Sequence, residues 1–155
     1  MNVRRLTHPV RQAGLAALCA MLAIAPAAAQ DAAAGAAAAP AGLVLELNAV
    51  QPVEAGCRLT FLVENGLSGT IAKAGYELAF FDPQGLVSRL TAVEFLDLPA
   101  GRSRVRQFQF SGTSCDAIAR ILVNASTECS GEGVEPGACL DALETRNRTD
   151  IDFGA

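Results

Sequence analysis

Side chains that commonly do chemistry are scarce in this chain. The 155 residues hold one histidine, His8, and one lysine, Lys73. His8 lies in an N-terminal stretch that reads as a cleaved leader. The remaining chain then has no imidazole for general base catalysis, a Ser-His-Asp arrangement or metal ligation. Lys73 falls in a loop or strand edge, where a solvated ammonium is expected in place of a Schiff-base lysine. Glu94 with Asp97, and Glu132 with Glu135, have a spacing that acid and base pairs use, but nothing nearby would raise one pKa above the other, so they read as solvated loop charges. Arg102, Arg104 and Arg106 are the one constellation with binding potential. Alternate residues of a strand share a face, and three guanidinium groups there could receive an anionic partner, a carboxylate ligand or the protein's own acidic segments. The same three would also serve as an outward face that discourages edge pairing.

Cysteine is the other reactive type. Of five cysteines, Cys19 sits inside the apolar run of the leader and leaves with it. Cys57, Cys115, Cys129 and Cys139 remain, and in an oxidising compartment four cysteines allow three pairings. If successive strands alternate in direction, Cys57 and Cys115 lie at one end of the domain and Cys129 at the other, about 30 Å away along a strand at roughly 3.3 Å per residue. A disulfide tolerates about 7 Å between Cα atoms, so the expected bonds are Cys57 with Cys115 and Cys129 with Cys139. The sequence has no Cys-x-x-Cys, and only acidic charge lies near the second pair, which disfavours zinc and redox chemistry. The residues thus point to no catalytic side chain, no cofactor and no metal.

Arg4, Arg5 and Arg11 precede an apolar run from residue 15 to 25, and Pro26 and Ala27-Ala28-Ala29 follow. This is the pattern of a secretory signal peptide cleaved after Ala29, and the run is too short to span a membrane. Arg4-Arg5 raises the twin-arginine route, although Leu6-Thr7-His8-Pro9 lacks its usual continuation, and the general route is expected. Cleavage removes three of the twelve Lys and Arg and none of the sixteen Asp and Glu, so the mature chain is more acidic than the whole chain's net charge of −4. Such a chain is not a general nucleic-acid binder, because phosphate contacts need a basic surplus.

The elements that must position these residues are strands. The clearest signal is Tyr76, Leu78 and Phe80 at period two, followed by the turn Asp82-Pro83-Gln84-Gly85 and a returning strand from Leu86 to about Phe95. Before this hairpin, residues 43–50 read as a first strand, with apolar positions 43, 45 and 47. Residues 57–64 read as a second, with Cys57, Leu59, Phe61 and Val63 on one face. After it come a fifth strand over 102–110 and a sixth over 119–126. Strict alternation in the fifth would place the arginines on the face of Phe108 and Phe110, so either the arginines lie beyond the end of the facing sheet or a bulge near Arg106 and Gln107 brings Val105 inside with Phe108, and the bulge is the expectation. Beyond Cys129 the chain is Gly-, Glu- and Pro-rich, with at most one or two helical turns over 140–146. Asn124-Ala125-Ser126 and Asn147-Arg148-Thr149 match glycosylation sequons, but a bacterial leader leaves them without meaning.

These elements predict an all-β protein, an antiparallel Ig-like β-sandwich of about six to seven strands, with a small open barrel as the runner-up. The chain has no Trp, so "Ig-like" describes architecture only. The expected organisation is a signal peptide at 1–29, an Ala-rich linker at 30–42, the sandwich at 43–129, and a disulfide loop with a polar tail at 130–155.

The runs Leu98-Pro99-Ala100-Gly101, Arg104-Val105-Arg106-Gln107-Phe108, Cys115-Asp116 and Ile121-Leu122-Val123-Asn124 resemble those of exported alphaproteobacterial proteins often labelled only by a twin-arginine signal sequence. Glu64-Asn65, Phe80-Phe81-Asp82, Gly85-Leu86-Val87 and Pro99-Ala100-Gly101 are similar to bacterial Ig-like modules of the FxLYD type. The resemblance covers about residues 43–130. It implies an Ig-like fold and export, and transfers no catalytic residue. The functional expectation is a non-enzymatic periplasmic or secreted module. It would bind another envelope protein through a strand edge, the arginine face or the acidic tail. The alternative is a small-ligand carrier with a pocket between the sheets, lined by residues such as Phe61, Tyr76 and Phe108. A hydrolase is the weakest reading for want of histidine.

Overall fold

Alternation of large apolar residues with small or polar ones builds the first hairpin. β1 (Leu43–Val53) turns back as β2 (Gly56–Asn65), with Leu43 opposite Asn65 and Val53 opposite Gly56. In β2 Cys57, Leu59, Phe61 and Val63 are buried and the residues between them are not. Gly56 is required where it stands: its φ is +154°, and a Cβ there would collide with the Phe110 carbonyl. The computed structural model describes residues 41–141 and 143–155, so the leader and nearly all of the spacer lie outside the described residues.

β3 (Ile71–Phe81) and β4 (Val87–Leu98) form the second hairpin. Its turn follows from the residue types: the Asp82 carboxylate accepts from the backbone N–H groups of Gln84 at 3.0 Å and Leu86 at 2.9 Å, and Gly85 takes a φ of 80°. β5 (Ser103–Ser111) follows, then a 3-10 turn at Cys115–Ala117 and β6 (Arg120–Ser130). The remaining elements are a four-residue helix, α1 (Ala138–Asp141), and two short strands, β7 (Leu143–Asn147) and β8 (Asp152–Gly154).

The strands make two four-stranded sheets, in the orders β5-β2-β1-β7 and β4-β3-β6-β8. The expected β-sandwich is present. The first six strands pair antiparallel where they are neighbours, and β7 and β8 join β1 and β6 in parallel. These two strands come from the segment read as a polar tail with helical turns, so the sandwich runs to Gly154. Their outer residues Glu144, Arg146 and Asp152 are exposed, while Ile151 and Phe153 enter the core.

Both disulfides have the expected partners: Cys57 bonds Cys115 and Cys129 bonds Cys139. The first ties β2 to the approach to β6. The second closes the crossover from β6 to α1.

Two central strands, β1 and β3, carry most of the core with β2, and a chain of rings fills the space between the sheets. Phe61 lies 5.7 Å from Phe95 and from Phe153, Tyr76 5.7 Å from Phe95, and Phe95 5.2 Å from Phe108, mostly in edge-to-face geometry. The Tyr76 hydroxyl donates to the Cys139 carbonyl at 2.6 Å, which gives its one polar atom a partner in an apolar setting. At one end of the sandwich Asn65, 2% exposed, joins both crossovers: its amide donates to the Gly69 and Leu98 carbonyls, and its side-chain oxygen accepts from the Leu67 N–H.

Candidate functional site

The arginine strand differs from the expectation in one respect. β5 pairs with β2 in unbroken register from Ser111 opposite Gly56 to Ser103 opposite Glu64, with no bulge near Arg106 and Gln107. Arg104, Arg106, Phe108 and Phe110 therefore share the inner face, and Val105 is exposed. The inner face tolerates the two arginines because β5 is an edge strand: their guanidinium groups reach past the core to the edge of the facing sheet. Arg106 donates from Nε to the Phe95 carbonyl at 2.7 Å and from an Nη to the Asp97 carbonyl at 3.2 Å. Its Nη lies 3.5 Å from the Asp97 carboxylate and that of Arg104 3.8 Å from it. Arg102 precedes β5, stands apart from this cluster and is exposed. The structure thus brings Arg104 and Arg106 together on Asp97.

The phase shift expected in β5 occurs in β4. Val93 and Phe95 face inward, and so does Leu98, which no regular strand allows. Pairing with β3 slips between Ala74 opposite Leu96 and Gly75 opposite Glu94. Leu96 absorbs the slip with a φ of 60°, the left-handed region that a side chain branching beyond Cβ occupies at a cost of roughly 1–2 kcal/mol. It is the one non-glycine residue with positive φ among the described residues, and it is 56% exposed. The sequence carried a signal for this: Phe95 and Leu98, both large and apolar, are three residues apart.

Six large hydrophobic residues are exposed among those described, and five of them, Leu86, Val87, Leu90, Leu96 and Val105, lie on β4, its turn or β5. These strands are the edges on the same flank of the two sheets. Leu90 stands opposite Ala79 on the outer face, and Ala79 stands opposite Leu122, so an apolar row crosses β4, β3 and β6. Below it Arg89 turns inward, donating to the Ser111 carbonyl and Thr113 hydroxyl at 3.2 Å and lying over the Phe110 ring.

At the end of the sandwich that carries the β7–β8 turn, an open cleft of about 550 Å³ is lined by Val50, Pro52, Ile118, Arg148 and Ile151 among others. Arg148 donates through Nε to both carboxylate oxygens of Glu46 at 3.1 Å, and the Asn48 amide donates to Glu46 at 2.7 Å. Glu46 is 5% exposed, and the Asn48 amide first and Arg148 second hold its carboxyl below the usual carboxylate range. The ion pair anchors the β7–β8 turn to β1 where a bulge follows Leu47.

The remaining candidates are dispersed. Lys73 pairs with Glu128 at 3.5 Å on the surface, and Glu132 and Glu135 are exposed. Among the described residues no three of His, Cys, Asp and Glu gather as a ligand set, and no helix is long and apolar enough to cross a membrane. The space a carrier would need between Phe61, Tyr76 and Phe108 is occupied by these rings and Phe95, with Phe61 6.0 Å from Phe108. These rings interdigitate as the side chains of a packed core do.

No family model matches the sequence, and no curated protein matches it. Among solved structures, that of IrmA from Escherichia coli is similar, with a TM-score of 0.53 at 11% identity, covering 70% of this chain and 93% of that chain. At this identity the likeness is one of fold.

Proposed function

We propose that this chain is a non-enzymatic exported module that docks another protein of the cell envelope at the upper part of the β4–β5 flank, around Leu96 and the arginines. The observation that carries this reading is Leu96. An exposed leucine in a left-handed conformation gives up backbone free energy and also wets an apolar side chain, a combination that a binding role offsets. Arg104 reaches Asp97, the residue that follows Leu96, and Arg106 fixes the strand edge there. The two disulfides and the leader pattern support an oxidising destination, periplasmic or secreted.

The test is capture of partners from periplasmic extract with the intact mature protein, compared with Leu96→Asn and with an Arg102→Ala, Arg104→Ala double variant. Asn accepts the left-handed conformation, so Leu96→Asn removes the apolar contact without disturbing the fold. A partner retained by the wild type and lost by both variants is expected. A partner set that both variants keep unchanged would remove this surface from consideration.

A further inference from the structure

Four strands end the two sheets: β5 and β7 in one, β4 and β8 in the other. An unpaired edge invites another strand, and proteins guard edges with charge, shortness or bulges. β5 carries Arg104 and Arg106, β7 carries Glu144 and Arg146 in a 2.8 Å ion pair, and β8 spans only Asp152–Gly154. β4 is guarded at its two ends. Arg106 occupies the Phe95 and Asp97 carbonyls above, and below, Phe80 stands opposite Arg89 but Phe81 opposite Val87, which makes Ser88 an extra, bulged residue. Between these guards residues 89–94, Arg-Leu-Thr-Ala-Val-Glu, pair regularly with β3 on one side and, among the described residues, have no strand on the other.

We infer that this open run is the contact of a symmetric dimer, in which residues 89–93 of two copies pair antiparallel about Thr91 and join two four-stranded sheets into one. The inference deepens the docking reading by naming one protein that the flank receives, a second copy, and leaves Leu96 and Arg102 outside the paired run for the other partner.

The run fits its own copy. A two-fold axis through Thr91 sets Thr91 against Thr91, Leu90 against Ala92 and Arg89 against Val93. Directly opposite residues keep the same face of the sheet, so the outward Leu90 and Ala92 stay outward in both copies. Within 89–93 the one charged side chain is Arg89, which is folded onto Ser111, Thr113 and Phe110 of its own chain, and Glu94 beyond it falls opposite Ser88 of the other copy. Arg89 faces Val93 of the other copy, so no like charges meet although the protein is acidic overall. On the outer face Leu90 lies beside Ala92 of the other copy and diagonal to that copy's Leu90, so the two 57%-exposed leucines shield each other across the joint. The regular run ends at the bulges on both sides, so the pairing is finite and closes as a dimer where an unguarded edge would extend.

Sedimentation of the intact mature protein across a wide concentration range, for the wild type and Leu90→Lys, tests the stoichiometry, and Thr91→Cys under mild oxidation tests the register. A wild-type dimer, at least a tenfold weaker association for Leu90→Lys, and a covalent dimer through position 91 but not through a Val105→Cys control are expected. A wild type that stays monomeric throughout, or a dimer that cross-links equally at 105, overturns the inference. Should Leu90→Lys fail to fold, the position-91 cross-link decides alone. A monomer that still loses its extract partner with Leu96→Asn would leave the docking reading standing while this one falls, and a dimer with no Leu96-dependent partner would do the reverse.

Discussion

The hydroxyl of Tyr76, in the middle of β3, donates a 2.6 Å hydrogen bond to the backbone carbonyl of Cys139, the residue whose sulfur closes the β6–α1 crossover. One contact thus fastens the disulfide loop to the centre of the core. Removing the hydroxyl with Tyr76→Phe leaves a buried carbonyl without its donor, so the variant should lose about 1–2 kcal/mol in denaturant unfolding, with the ring packing intact.

Burial also raises the Tyr76 pKa far above its ordinary value. The folded state therefore favours the neutral phenol, and the stability it contributes is present below the unfolded pKa of about 10 and declines as pH rises beyond it. Tyr76 is the only tyrosine. Absorbance at the tyrosinate band should stay flat through the normal phenol range and rise only with unfolding; a normal titration in the folded protein would contradict the burial.

Glu46 has the opposite sign. Its carboxyl is held low by Asn48 and Arg148, so its contribution is present above the unfolded carboxylate pKa and is lost as pH falls through the folded value. The stability difference between wild type and Glu46→Gln should therefore narrow on acidification. Arg148→Ala, which removes the Nε donor to a nearly buried carboxylate, should cost about 1–2 kcal/mol at neutral pH, after allowance for the exposed guanidinium.

At Leu96 the expected change is a gain. Asn or Gly relieves the left-handed strain, so Leu96→Asn and Leu96→Gly should raise stability by about 0.5–1 kcal/mol, measured by the denaturant midpoint, while Leu96→Val should lower it. A stabilised protein that has lost its partner would be the signature of a residue kept for binding.

Breaking the disulfides in pairs should separate two loop sizes. Loss of Cys57–Cys115, with a sequence separation of 58, should cost roughly 4 kcal/mol, and loss of Cys129–Cys139, with a separation of 10, roughly 3 kcal/mol on loop-closure entropy. Unfolding of the two double-alanine variants measures the difference.

The first six strands and both disulfides were legible because period-two alternation is strong in β2 and β3 and because alternating strand direction places the cysteines at opposite ends. β7 and β8 were not legible. Leu143–Asn147 offers one partly buried apolar residue to a parallel pairing with β1, and Asp152–Gly154 is held by three pairs to β6; neither has a pattern that stands without its partner. The phase problem near the arginines was visible, but its solution lay across the sandwich: an edge strand can turn long cations inward, and the bulge belongs to β4, where Phe95 and Leu98 both demand the core. The arginines' neighbours on Asp97 likewise arise from packing between sheets, which sequence spacing does not encode.

β7 lies against β1, with Leu43 beside Leu143. The first strand to be made is thus completed by nearly the last, so synthesis and assembly run in opposite order. A chain leaving a narrow exit with its N-terminus ahead keeps one side of β1 unsatisfied until residue 143 has followed it through. The second side of β1 is thus completed only after the six antiparallel strands have all been made.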